Sequence, residues 1–258
     1  MKNNALWTKT AILIAGILVG FLIGRISIKE EVTIPAQDNA PVSASVQKSE
    51  ENQPAQQANP VIIPKALDKI SGVSAEDDDV LGNPSAPITI VEFTDYQCTF
   101  CKKYYSDNFE LIKKDYVETG KVKYVVRDFP LDEHPQAMLA AGAAECAGEQ
   151  GKYWEMHDRL FIGQEEWSYQ NGALGTFKSY AASLKLDTAT FDKCLDTGKY
   201  DTEIAKDIVD GETYTVKSTP TIFIDDKKIV GAQSFELFKN TIDAELARKT
   251  AETRQTKP

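Results

Sequence analysis

The chain has 258 residues, 42% of them hydrophobic and 26% charged, a balance that suits a globular protein of one or two domains. Its 29 Lys and Arg face 39 Asp and Glu, and a net charge of -10 argues against nucleic-acid binding, which depends on neutralising phosphates with basic side chains. Two histidines are too few for a histidine-rich metal centre, and four cysteines too few for a small disulfide-stapled scaffold.

Residues 1–29 hold four cations (Lys2, Lys9, Arg25 and Lys29) and no acid. Between Lys9 and Arg25 lie the uncharged residues Thr10 to Gly24, about 22 Å long as a helix against a hydrocarbon core of roughly 30 Å. Trp7 and the snorkelling ends Lys9 and Arg25 lengthen the run. It therefore reads as an export signal. The first alanine after Gly24 is Ala36, too distant for a small-residue cleavage site. Residues 1–28 are thus expected to persist as a signal-anchor with one transmembrane segment at 10–24, cleaved secretion being the alternative. Lys2 and Lys9 would stay inside, leaving the bulk of the chain extracytoplasmic, in the periplasm or on the outer face of the cell membrane. Gly16, Gly20 and Gly24 add a small-residue spacing that could pair helices.

Residues 29–64 read as a Pro- and Gln-rich tether that buries too little surface to offset its ordering entropy. A folded domain is expected over 65–250, with a tail at 251–258. Ile88–Thr94 (ITIVEFT) reads as a buried strand, followed by a helix over 98–118 with Cys101, Tyr105, Ile112 and Tyr116 on one stripe and Gly120 at its stop. Lys121–Phe129 is a second strand. From 136 to about 210 the pattern is helical, in pieces parted at Gly151, Gly163, Gly172–Gly175 and Gly198. Thr221–Asp225 and Lys228–Gly231 form a hairpin turning at Asp226 and Lys227, and Phe235–Arg248 closes the domain as an amphipathic helix with Ser234 as N-cap. Helices that divide strands of one mixed sheet define an α/β fold.

The chemistry is expected at Cys98-Thr99-Phe100-Cys101. A CxxC directly after a buried strand puts its first cysteine at a helix N-terminus, where unpaired N–H groups and the dipole favour a thiolate. Cys98 is expected to be exposed and nucleophilic, and Cys101, one turn on, buried and suited to resolving a mixed disulfide. A zinc site is the competing reading, with Cys146, Cys194 and a histidine as its remaining ligands, but no second CxxC or CxxH accompanies the first. Neither metal nor cofactor is expected. Glu92 shares strand parity with Ile88 and Ile90, so its carboxylate should point into an apolar face and exchange protons with Cys101. Tyr96 and Phe100 flank the nucleophile as a candidate apolar rim for substrate. His134 reads as a loop or helix-start residue and His157 as structural.

Val91-Glu-Phe-Thr-Asp-Tyr-Gln-Cys-Thr-Phe-Cys101, with Arg127-Asp-Phe-Pro-Leu131, His134-Pro135 and Thr219-Pro220-Thr221, resembles the DsbA-like thiol–disulfide oxidoreductases, above all their membrane-anchored bacterial members. The likeness runs from about Asp79 to Lys249. It implies a thioredoxin fold with a helical insertion at about 134–212. It also implies Cys98 as nucleophile, Cys101 as resolving cysteine, Glu92 as buried carboxylate, and a cis bond at Thr219-Pro220 beside which a substrate chain adds as a strand. The implied activity is oxidation of cysteine pairs in exported polypeptides, with recharging by a quinone-linked membrane partner. A reductase or isomerase using the same pair and a non-catalytic metal binder are the alternatives. Thr99-Phe100 stands where the strongest oxidants of the family carry Pro-His, so a less oxidising pair is expected. Cys146 and Cys194, both in the insertion of an exported protein, are expected to form a structural bridge, with free thiols or a relay to the active pair as alternatives.

Overall fold

The computed structural model describes residue 73 and residues 78–255. The expected anchor at 10–24 and the tether at 29–64 lie outside the described residues. Among the described residues, no helix is long and apolar enough to cross a membrane.

Among the described residues, five strands form one sheet: β1 (Leu81–Gly82), β2 (Ile88–Thr94), β3 (Val122–Asp128), β4 (Thr221–Ile224) and β5 (Lys227–Val230), in the order β1-β3-β2-β4-β5. β2 and β3 run parallel, with Glu92 opposite Val126, and the other pairings are antiparallel. A parallel pair requires a crossover. It is supplied by α1 (Thr99–Tyr104), a π-helical turn at Tyr105–Phe109, α2 (Glu110–Ile112) and a second π-helical turn at Lys113–Val117. The expected stripe of Cys101, Tyr105, Ile112 and Tyr116 is buried, and the wider turns let Tyr104 and Phe109 face inward as well.

Both faces of the sheet are covered. Ile88, Ile90, Tyr124, Val126, Ile222 and Ile224 belong to a large core shared with α1 and the helical insertion, whereas Val91, Phe93, Val125 and Phe223 form a smaller one with Phe129 and Val216. Strands with two buried faces lose the apolar–polar alternation, as ITIVEFT does. The insertion comprises α3 (Ala137–Gly148), α4 (Tyr153–Ile162), α5 (Gln164–Trp167), α6 (Ala173–Ser183), α7 (Thr188–Asp196) and α8 (Asp201–Thr213). α8 closes tightly over the smaller core: a Cβ on Gly211 would lie 2.6 Å from the Phe129 ring.

Three boundaries differ from the sequence reading. The hairpin turns at Asp225 and Asp226, one residue early, because Ile224 pairs with Lys227 and Asp225 takes a positive φ of 50° that aspartate tolerates. Gly175 lies inside α6, which opens directly after Gly172, and the helical block has a further break between Ser183 and Thr188. The last helix, α9 (Phe235–Gln255), runs on past Arg248 into the expected tail, stitched by Arg248–Glu245 and Arg248–Glu252 ion pairs.

Candidate active site

At the end of β2 the chain turns so that the Cys98 N–H donates to the Asp95 carbonyl at 3.0 Å. The Asp95 side chain shapes this turn. Its Oδ1 accepts the N–H groups of Gln97 at 2.7 Å and Cys98 at 3.2 Å. Its Oδ2 accepts Leu131 N–H at 2.8 Å and lies 2.7 Å from His134 Nδ1. Cys98 is thereby held in extended backbone geometry as the N-cap residue of α1, with the N–H groups of Phe100 and Cys101 directed at its sulfur.

Two distant segments close over the turn. The Thr219–Pro220 peptide bond is cis, and Cys98 Sγ donates to the Thr219 carbonyl at 3.5 Å. The two segments meet because β4 starts where β2 ends, Thr221 pairing with Phe93. From α5, Gln164 Nε2 donates to the carbonyls of Tyr96 at 2.6 Å and Cys98 at 3.1 Å.

The two thiols are unequal. A hydrogen bond from Cys101 is the main force drawing Cys98 down from 9.0 to about 6; burial opposes it, while the Thr219 side chain and the N–H groups of Cys101 and Phe100 assist. Burial pushes Cys101 well above 9.0, and the neighbouring Cys98 and Glu92 add to the rise. The pair thus keeps its proton on Cys101 and its negative charge on Cys98, which is the distribution a nucleophile and a resolving thiol require.

Glu92 points into the large core as its parity requires, and only 2% of its surface is exposed. Burial raises its pKa, opposed by hydrogen bonds from the Tyr124 hydroxyl at 2.6 Å and the Thr94 hydroxyl at 2.8 Å. A carboxyl so placed can hold or release a proton beside Cys101.

Two expectations are corrected. Cys98 is 5% exposed rather than open, because the cis-proline loop and the turn pinned by Gln164 cover its side chain. Tyr96, expected on the rim, is 1% exposed: α4 covers it, with Phe161 at 4.9 Å between ring centroids and the Tyr153 hydroxyl at 3.2 Å from its own. Phe100 does stand out from the surface, 62% exposed. His157 is buried among Tyr96, Tyr105, Phe109 and Phe161.

Sequence reasoning missed Asp95 and Gln164. An aspartate three residues before a helix-opening cysteine is a readable turn signal. Gln164 carries no such signal, since its partners lie 66 and 68 residues away. Cys146 and Cys194, buried in α3 and α7, are joined by a disulfide with Cα atoms 5.8 Å apart. Among the described residues, no group of three or more His, Cys, Asp and Glu side chains could hold a metal ion.

A strand–CxxC–helix unit facing a cis-proline loop, with a carboxylate buried beneath it, defines a dithiol protein of the thioredoxin fold. A thioredoxin family model matches residues 74–244. The chain is 31% identical to disulfide bond formation protein D of Bacillus subtilis over 188 residues, which cover 70% of this chain and 83% of that protein. It is also 35% identical over 171 residues to the Na(+)/H(+) antiporter NhaA 3 of Salinispora tropica; these are 66% of this chain but span only 25% of the antiporter. Among solved structures, oxidised BdbD from Bacillus subtilis superposes with a TM-score of 0.64 at 32% identity, covering 70% of this chain and 99% of that one. Wolbachia pipientis alpha-DsbA1 follows at a TM-score of 0.63 and 27% identity, covering 69% and 94%. The chain belongs to the DsbA-like thiol–disulfide oxidoreductases of the thioredoxin family.

Proposed function

We propose that this protein introduces disulfides into exported or unfolded cysteine-containing polypeptides outside the cytoplasm, using the Cys98–Cys101 pair. The observation that carries this reading is the placement of Cys98 as the N-cap of α1 against the cis-proline loop, which draws its thiol down, while Cys101 is fully buried and pushed up. Stabilising the Cys98 thiolate stabilises the reduced pair, and a pair that prefers to be reduced oxidises others.

In the forward reaction a substrate thiolate attacks Cys98 Sγ of the Cys98–Cys101 disulfide. The bond to Cys101 breaks, and Cys101 leaves with the electron pair and takes a proton, for which Glu92 is the adjacent donor. A second substrate thiolate then attacks the substrate sulfur of the mixed disulfide and expels Cys98 as its stabilised thiolate. Thr219 and Pro220 border the sulfur under attack, so a substrate backbone pairs there as an added strand, and the exposed Phe100 ring offers it apolar contact. Recharging by a quinone-linked membrane partner balances the two electrons gained. The apolar run 10–24 would hold the enzyme near such a partner.

Trapping the thiols of growing cells with an alkylating reagent tests the direction. Cys98 and Cys101 found mostly as a disulfide would support the oxidase; a mostly reduced pair would replace it with a reductase or isomerase. With Thr99-Phe100 between the cysteines, glutathione titration should give a pair less oxidising than family members with Pro-His.

A further inference from the structure

Asp95 lies directly under the nucleophile, and its two oxygens receive four donors: the N–H groups of Gln97 and Cys98 on one, Leu131 N–H and His134 Nδ1 on the other. Its side chain is fully enclosed, and that of His134 is 12% exposed. Burial raises the Asp95 pKa, and the hydrogen bonds from Leu131, His134 and Gln97 oppose that rise and favour the carboxylate. With its proton on Nδ1, the His134 ring donates the fourth hydrogen bond to that carboxylate. The arrangement has a cost for the chemistry: a carboxylate beside Cys98 repels the thiolate that the helix terminus favours. Every donor that draws charge from Asp95 weakens that repulsion, and the His134 ring is the only one of the four from a side chain.

We propose that Asp95 and His134 act as a positioning pair for the Cys98 thiolate: Asp95 fixes the turn that presents the helix N-terminus, and His134 withdraws enough of its charge to keep Cys98 a stable thiolate. The inference rests on the dithiol redox reading and assigns His134, a residue that touches neither sulfur, a part in setting the reactivity of the pair. The other titratable groups facing the assembly are Cys101 and Glu92 toward the sulfur and Asp128 toward the carboxylate. The ring of His134 otherwise meets Tyr169, with centroids 6.3 Å apart.

The test is the thiolate absorbance titration of the reduced full chain, paired with its glutathione equilibrium. His134→Ala should lower the thiolate-to-thiol ratio of Cys98 in mildly acid solution roughly 3- to 10-fold. The same substitution should move the glutathione equilibrium toward the disulfide, since a costlier thiolate makes the reduced form costlier. His134→Gln keeps a donor for Asp95 and should recover part of both effects. In an Asp95→Asn background, His134→Ala should have no further effect, because the charge it offsets is gone. An unchanged titration in both His134 variants would overturn the proposal, as would an equal shift with and without the Asp95 substitution. A wild-type Cys98 titrating as an ordinary thiol would instead fell the redox reading itself, which separates the two failures.

Discussion

The molecule holds two pairs of cysteines, and their surroundings divide their roles. Cys98 and Cys101 stand one helical turn apart at a strand–helix junction, where N–H groups, a carbonyl oxygen and a buried carboxylate all bear on the sulfurs. Cys146 and Cys194 are separated by 48 residues and joined between α3 and α7. Around Cys146, Ala140, Ala143, Ala144 and Ala147 let the helices approach closely. Polar groups aimed at a sulfur tune its ionisation, whereas a long loop closed by a bond restrains the unfolded chain. On the proposed function, the same side chain is a reagent in one setting and a staple in the other.

Substitution should separate the two pairs most sharply in the exchange reaction. Cys98→Ser should reduce oxidation of a reduced cysteine-containing peptide to the buffer background, while Cys146→Ala with Cys194→Ala should leave the rate largely intact. A large loss of rate in the folded Cys146/Cys194 variant would collapse the distinction and make that pair a relay. Urea unfolding should give the reverse order. Losing the Cys146–Cys194 bridge should cost about 4 kcal/mol on the chain-entropy account, less where the bond strains the fold, against a small change for Cys98→Ser.

A third, smaller contrast concerns pH. Glu145, next to Cys146 in α3, is raised from 4.5 to about 9 by burial, with Glu203, Asp78, Asp79 and Asp207 adding to the rise. A raised folded pKa means that the native state holds this proton more tightly than the unfolded chain does. Its contribution to stability is therefore complete below about 4.5 and is lost as pH climbs through about 9. Glu145→Gln should flatten the alkaline fall in unfolding free energy and leave Cys98 reactivity unchanged. If the slope of stability against pH survived the substitution, another group would have to carry it.

The strand–CxxC–helix junction was readable because its signals are local: a buried strand, a CxxC and a helix with a stop at Gly120 follow one another within a single stretch. Glu92 was readable from strand parity alone. The covered state of Cys98 and the burial of Tyr96 were not, since both depend on segments more than 50 residues away, the cis-proline loop and α4. Side chains around a junction can be named from its own sequence, but which of them reach solvent is decided by what folds over it. Gln164 shows the same limit: it anchors the reactive turn from a four-residue helix with no pattern to announce it.

The strand order carries one more consequence. β2 is the central strand, paired with β3 on one side and β4 on the other, and the elements that meet at Cys98 leave the same end of the sheet. The loops that carry Cys98 and Thr219 are therefore anchored on a ladder flanked by strands on both sides, whereas the two-residue edge strand β1 can fray at little cost. The amide hydrogens of Glu92 and Ile222 should be among the last to exchange with deuterated water. Proteolytic nicking elsewhere would then leave the reactive centre assembled until the whole domain gives way.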